Sequence, residues 1–195
     1  IFPYFQITLV DRYFDSFVHR CTTFEQMEAE LERAPTVIDE MLHECLDEHL
    51  AKVDPDLVGV TVPFARNLYW AFRIGRRTKK QRSATRIAMG GGFFNTSMRQ
   101  QNEPRVFDYV DYITLDDGER PLLDLMEHLQ GVRDSHSLKR TWLRDEGGLR
   151  YVNGDNEPDI KHEEAGAPDY EGYRIADYFS SLETNNINQR VRSDG

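Results

Sequence analysis

Cysteine is scarce: Cys21 and Cys45 are the only two, and they stand far apart. That excludes a disulfide framework and a metal knuckle of paired thiols, and reads as two reduced thiols of a cytoplasmic protein. Long hydrophobic runs are also missing. The longest are about six residues, against the roughly twenty that a membrane span needs. A basic surplus is absent: 24 Lys and Arg face 34 Asp and Glu, a net charge of −10, which removes the usual footprint of nucleic-acid binding. No repeat recurs at a solenoid period. No nucleophile elbow or Ser/His/Asp set stands in a strand-to-helix context. His19, His43, His49, His128, His136 and His162 show no metal-ligand spacing with a Cys or another His. No secretory leader is visible, and the chain begins at Ile1 without Met: either an initiating segment is missing or the chain is an excised fragment, the expectation we favour.

What is present centres on the stretch from Asp56 to Leu129. Leu57-Val58-Gly59-Val60-Thr61-Val62 is an apolar run that stops at Pro63. A helical stretch, Asn67 to Lys80, carries Leu68, Phe72 and Ile74 among arginines and lysines. Ile87-Ala88-Met89 then ends in Gly90-Gly91-Gly92, a short segment follows, and Tyr112-Ile113-Thr114-Leu115 ends in Asp116-Asp117-Gly118-Glu119. A last helix, Pro121 to Leu129, carries Leu122, Leu123, Leu125, Met126 and Leu129. Alternating strands and helices with near-continuously apolar strands predict a parallel α/β sheet covered by helices. In such sheets ligands sit beyond the carboxyl ends of the strands. Pro63-Phe64-Ala65-Arg66, Gly90-Gly91-Gly92 and Asp116-Asp117-Gly118-Glu119 all fall on that edge, which is the candidate site.

The flanks are less regular. Residues Ile1 to Val18 are rich in aromatics and read as an irregular or short helical segment covering apolar surface. Gln6-Ile7-Thr8-Leu9-Val10 is a candidate first strand of the sheet, with an upstream strand outside this chain as the alternative. Thr22-Thr23-Phe24-Glu25-Gln26 gives a capping box at a helix running to about Arg33, before Pro35. A second helix, about Thr36 to Lys52, shows one apolar stripe through Val37, Ile38, Met41, Leu42, Cys45, Leu46 and Leu50, opposite a solvated acidic face. After Gly131, Leu138–Arg144 and Leu149–Val152 flank Asp145-Glu146-Gly147-Gly148 and predict a β-hairpin. Asn153 to Tyr170 reads as a linker or irregular strap, Tyr173 to Leu182 as a short helix, and Glu183 to Gly195 as a polar tail. The expected parts are residues 1–53 packing on the sheet, 54–131 as the α/β core, and 132–195 as hairpin and connector.

Two signals on the edge carry chemistry. The glycine triplet permits a sharp turn and close backbone approach, either for packing or for a flat or anionic ligand. It is neither a G-x-G-x-x-G fingerprint nor a Walker loop. The acidic group at Asp116 is either a divalent-metal cluster or a helix N-terminus whose acids favour the dipole. A third option is that Glu119 and the glycine turn contact one ligand from neighbouring strands. The chain shows no catalytic set of its own, so it reads as a binding domain.

Taken in order, Pro55-Asp56-Leu57-Val58-Gly59-Val60, the Pro63-Phe64 loop, Lys79-Lys80, Ile87 to Gly92, Val110-Asp111-Tyr112-Ile113-Thr114 and Asp117-Gly118-Glu119-Arg120-Pro121-Leu122-Leu123 resemble the cobalamin-binding domain that precedes the catalytic core of cobalamin-type radical SAM proteins. The resemblance covers residues 54 to 130; no single motif is specific, and the ordered set carries it. Tyr170 to Gly195 is similar to the connector that leads into the radical SAM barrel. The resemblance implies a Rossmann-like, cobalamin-binding-like fold. The parent chain would be a radical SAM enzyme of iron–sulfur oxidoreductase or methyltransferase type, with its 4Fe-4S cluster and S-adenosylmethionine in a downstream domain beyond Gly195. That domain would be this fragment's partner, and the fragment alone would catalyse nothing. Cobalamin would lie against Thr61, Pro63, Asn67, Gly90, Gly91, Gly92, Asn95, Asp117, Gly118 and Glu119. The family's D-x-H-x-x-G motif is not met: Asp47-Glu48-His49-Leu50-Ala51-Lys52 has Lys52 in the glycine position and lies in a predicted helix. Many relatives lack that motif.

Two other readings compete. One is a cobalamin-free docking or substrate-recognition module, favoured by the bulky Phe64, Arg66, Phe93 and Phe94 on the edge. The other is a response-regulator-like domain, which needs a phosphorylatable Asp after an early strand and a Lys near the last. Asp11 lies too early in the chain, and no Lys ends a later strand.

Overall fold

The computed structural model describes residues 5–8, 12–15, 23–164 and 166–174. The chain divides into two compact units, Ile1–Ile160 and Lys161–Gly195. The expected helix from Tyr173 and the polar tail lie outside the described residues, apart from the first two positions. What is described of the second unit is turns, one closed by Tyr173 N–H donating to the Tyr170 carbonyl at 3.1 Å.

In the first unit, β1 (Phe5–Thr8) and β2 (Arg12–Asp15) form an antiparallel pair of their own. The sequence reading is corrected here: this part of the aromatic segment is extended rather than helical, and β1 is not the first strand of the main sheet. Then come α1 (Phe24–Glu32), α2 (Val37–Val53), β3 (Leu57–Thr61), α3 (Ala65–Gln81), β4 (Arg86–Gly90), α4 (Gly92–Thr96), a 3-10 turn at Pro104–Asp108, β5 (Tyr112–Thr114), α5 (Glu119–Leu129), a second 3-10 turn at Ser135–Ser137, β6 (Thr141–Asp145) and β7 (Gly148–Val152).

The sheet is mixed α/β and Rossmann-like in its first half. Its order is β3-β4-β5-β6-β7. β3, β4 and β5 run parallel, with Val58 opposite Ile87 and Met89 opposite Ile113. The hairpin continues the sheet antiparallel, Ile113 opposite Trp142, so residues beyond 131 belong to the same sheet as the α/β stretch. Hairpin partners can follow on directly, whereas parallel strands need the α3 and α4 crossovers.

Local chemistry explains the elements. Thr23 caps α1 in a reciprocal box with Gln26, and Thr36 caps α2 in the same way with Asp39; each box satisfies two otherwise orphaned N–H groups. α2 ends at Asp54 in the left-handed region, φ 50°. Strand alternation sorts the two faces. Ile87, Met89 and Ile113 pack with Leu68 and Phe72 of α3, Met27 and Leu31 of α1, and Phe94. On the other face Tyr112, Leu143, Leu138 and Val152 form a smaller cluster, and the His128 ring of α5 meets Tyr112 edge-on at 6.1 Å. Gly75 lets α3 approach the sheet connection: a Cβ there would overlap the Tyr109 carbonyl.

Two helices bury less than their patterns predict. In α2 only Leu50 and Asp39 are buried, while Val37 and Met41 of the expected stripe are exposed. In α5 the inward positions are Pro121, Asp124 and Leu125, and Leu122, Leu123 and Met126 face outward.

Candidate functional site at the carboxyl edge of the sheet

β3, β4 and β5 deliver three loops to one edge, as their parallel order requires. Val62 N–H donates to the Gly90 carbonyl at 2.8 Å, and Phe93 N–H donates to the Val62 carbonyl at 3.1 Å. The first two loops are therefore zipped together by their backbones. Gly91 sits at φ 104°, and a Cβ there would come within 3.0 Å of the Val62 carbonyl; a Cβ on Gly92 would lie 3.2 Å from the Pro63 carbonyl, and one on Gly90 would lie 2.9 Å from Thr114 Oγ1. The space that the glycine triplet spares is filled by the protein's own chain.

The third loop is clamped by side chains. Asp116, at φ 60°, donates its N–H to Asn95 Oδ1 at 2.8 Å. Its carboxylate accepts from Arg99 Nη2 at 2.8 Å, and that bond, with the nearby Arg99 and Arg140 charges, holds the Asp116 carboxyl below its usual range. Arg140 also donates to the Asp117 carbonyl at 3.0 Å. Asp116 is thus held by guanidinium groups, and of the acidic run only Glu119 lies in the first turn of α5, whose N-cap is Gly118; there a negative charge favours the helix dipole. Among the described residues no group of three His, Cys, Asp or Glu is placed to hold a metal ion. Arg99 and Arg140 escaped the sequence reading because their partner is remote in the chain and no local spacing announces the pairing.

The structure therefore brings Thr61, Pro63, Asn67, Gly90, Gly91, Gly92, Asn95, Asp117, Gly118 and Glu119 to one side of the fold, in three parts. Gly90, Gly91, Gly92 and Asn95 build the loops. Thr61, Pro63, Asp117, Gly118 and Glu119 are exposed around them, and Gly118 has no heavy atom within 4 Å of where a Cβ would stand. Asn67, in the first turns of α3, has its Oδ1 buried without a hydrogen-bond partner. Phe64 is 60% exposed, with the Arg66 guanidinium 5.3 Å from its ring centre. Ala65 and Arg66, expected in the loop, already belong to α3. Phe94 is buried in the core, whereas Phe93 is partly covered, so neither stands free on the edge as Phe64 does.

His49 lies in α2, where its Nδ1 is 2.8 Å from the Cys45 carbonyl of the preceding turn, as its helical placement in the sequence reading requires. Among the described residues no helix is long and apolar enough to cross a membrane.

No protein-family model matches the chain, and no curated protein matches it. Among solved structures it is similar to the radical S-adenosylmethionine methyltransferase TsrM from Kitasatospora setae with tryptophan substrate and the SAM analogue aza-SAM bound. The identity is 23%, the match covers 60% of this chain and 22% of that one, and the TM-score is 0.43. It is also similar to TsrM from the same organism with cobalamin and a 4Fe-4S cluster bound, at 21% identity, 62% and 22% coverage, and a TM-score of 0.43. The chain thus spans 22% of the length of the solved chains it matches.

Proposed function

We propose that this chain is an accessory cofactor domain of a radical SAM enzyme, taking cobalamin on the carboxyl edge of its sheet and performing no chemistry alone. The observation that carries the reading is the buried Asn67 Oδ1 without a partner, beside an edge whose rim residues Thr61, Pro63, Asp117 and Gly118 are exposed. A buried acceptor left unpaired costs about 1–3 kcal/mol and so calls for a donor. The side-chain amides around a corrin ring are donors of that kind. The ordered resemblance over residues 54 to 130 points to the same cofactor.

Cobalamin, when bound, supplies a cobalt centre for group or electron transfer. This chain's part is to bind and orient it. Asn67 accepts from an amide, the exposed α5 N-terminus at Gly118 offers backbone N–H groups, and Phe64 offers a flat apolar face. His49 lies in α2, ahead of the amino end of β3 rather than in a loop of the carboxyl edge, so the D-x-H element is not placed to offer cobalt a ligand there. The parent's methyl-transfer or oxidoreductase chemistry, its iron–sulfur cluster and S-adenosylmethionine belong to the downstream domain.

A second reading has observations of its own. The glycine turns are filled by backbone from the neighbouring loop, and Leu122, Leu123 and Met126 form an outward apolar face on α5. These favour a cobalamin-free module that docks on its own radical SAM domain. A visible spectrum after mixing with hydroxocobalamin and gel filtration separates the two readings. Co-eluting pigment, reduced in Gly118→Phe, supports the cofactor domain, because Gly118 has room for a side chain and its φ of −80° suits one. A colourless protein, with a longer chain carrying the cluster domain also colourless, supports docking.

A further inference from the structure

A cleft of about 310 Å³ opens between the α1–α2 connection and the carboxyl-terminal half of α3. α3 starts at the carboxyl ends of the strands and runs back toward their amino ends, so this cleft lies away from the edge described above. Arg73, Arg76, Arg77 and Lys80 line it; they stand at i, i+3, i+4 and i+7, one face of the helix. Glu32, Arg33 and His43 line it from the other side. A dipole preference for cations explains a basic last turn; it falls off before Arg73 and Arg76, which are paired with Asp39 and Glu32.

We propose that this cleft binds the phosphate group of a small phosphorylated molecule. The guanidinium groups are already held in place. Arg73 Nη1 donates to the Leu31 carbonyl at 3.0 Å while its Nε pairs with Asp39, Arg76 Nη1 donates to the same carbonyl at 2.6 Å while its Nη2 pairs with Glu32 at 3.0 Å, and Arg77 grips Asp47 through two nitrogens. Each fork retains further N–H donors. Lys80 is exposed and has no hydrogen-bond or ion-pair partner among the described residues. Each of the three arginines has a carboxylate partner, so Lys80 is the cation of this face left to a ligand; His43 opposite is held below its ordinary pKa by burial, then by the Arg77 and Arg73 charges, against smaller opposing effects of Asp39 and Asp47. Fixed arginines that keep spare donors suit a tetrahedral anion with several acceptor oxygens. The volume is at the small end of ligand clefts, about 300–1,000 Å³, which fits a phosphorylated metabolite and excludes a corrin.

The test is an NMR titration of His43 with inorganic phosphate and with ribose 5-phosphate, using sodium chloride at matched ionic strength as control. A bound dianion favours the imidazolium, so a saturable upward shift of the His43 pKa is expected with the phosphates and not with chloride. Lys80→Gln, an exposed change that leaves the fold intact, weakens binding about tenfold, whereas Gly118→Phe leaves it unchanged. Tighter binding of the ester assigns the site to a phosphorylated metabolite; equal binding assigns it to the phosphate ion. A shift that never saturates and is matched by chloride, or one indifferent to Lys80→Gln, overturns the proposal. Neither result bears on cobalamin binding at the opposite edge.

Discussion

Arg73 Nε lies 3.0 Å from Asp39 Oδ1, with side-chain exposures of 6% and 1%. Tyr69 completes the group: its hydroxyl donates to Asp39 at 3.1 Å and accepts from Arg73 Nε at 2.8 Å. Burial pushes the Tyr69 hydroxyl up to about 12, so it remains a donor at any physiological pH. Asp39 also closes the capping box of α2, and Arg73 reaches the last carbonyls of α1 at Leu31 and Glu30. One buried pair thus pins three helices together on this face of the sheet.

Removing one partner leaves the other charge buried and alone. Asp39→Ala is expected to cost about 3–5 kcal/mol, and Asp39→Leu combined with Arg73→Met is expected to recover much of that loss. Urea unfolding of the single and double variants checks this. A single variant within about 1 kcal/mol of the parent would show that the pair does not hold the helices.

Gly75→Ala tests the approach of α3 to the sheet. Helix propensity alone favours Ala by about 0.8–1 kcal/mol, but the new methyl would meet the Tyr109 carbonyl, and such overpacking costs about 1–3 kcal/mol. Destabilisation is expected. Gly59→Ala, with nothing within 4 Å of its Cβ, is expected to be neutral or stabilising. If Gly75→Ala raises the thermal midpoint, the close approach is wrong.

The pH dependence of stability carries the mark of Asp124. Burial lifts its carboxyl from 3.8 to about 6, with neighbouring Asp155 raising it further and Arg133 opposing. A carboxyl raised in the folded state binds its proton more tightly there, so its contribution is complete below 3.8 and is lost as pH rises through about 6. Asp124→Asn is expected to flatten the stability profile between pH 4 and 6.5, gaining on the order of 2 kcal/mol at neutral pH. Arg133, 3.3 Å from Asp124, also pairs with Glu127 at 2.7 Å, and the variant leaves that second carboxylate in place. Parallel profiles of parent and variant across that range would remove Asp124 as the cause.

Much of the fold is legible in the sequence because its signals are local. The Thr23 box, the runs at Leu57, Ile87 and Tyr112, and the Glu146-Gly147 turn of the hairpin each fix an element without reference to distant residues. Pairing is not local. Nothing around Trp142 announces that β6 lies beside β5, and nothing around Gln6 says that β1 pairs with β2 apart from the main sheet. At the site, the parallel order predicts which loops meet. It does not reveal that the glycine turn is filled by Val62, or that Asp116 is clamped by Arg99 and Arg140. The α1–α3 cleft is hidden for the same reason: nothing around Arg73 or Lys80 announces that Arg33 and His43 stand opposite them.

The most direct test of the central claim is a map of backbone amide shifts as hydroxocobalamin is added to the isotopically labelled protein. Saturable changes confined to Thr61–Asn67, Gly90–Asn95 and Asp116–Glu119 are expected, with residues around His43 and Lys80 unmoved. No shifts at that edge, or shifts centred on the α1–α3 cleft, would contradict it.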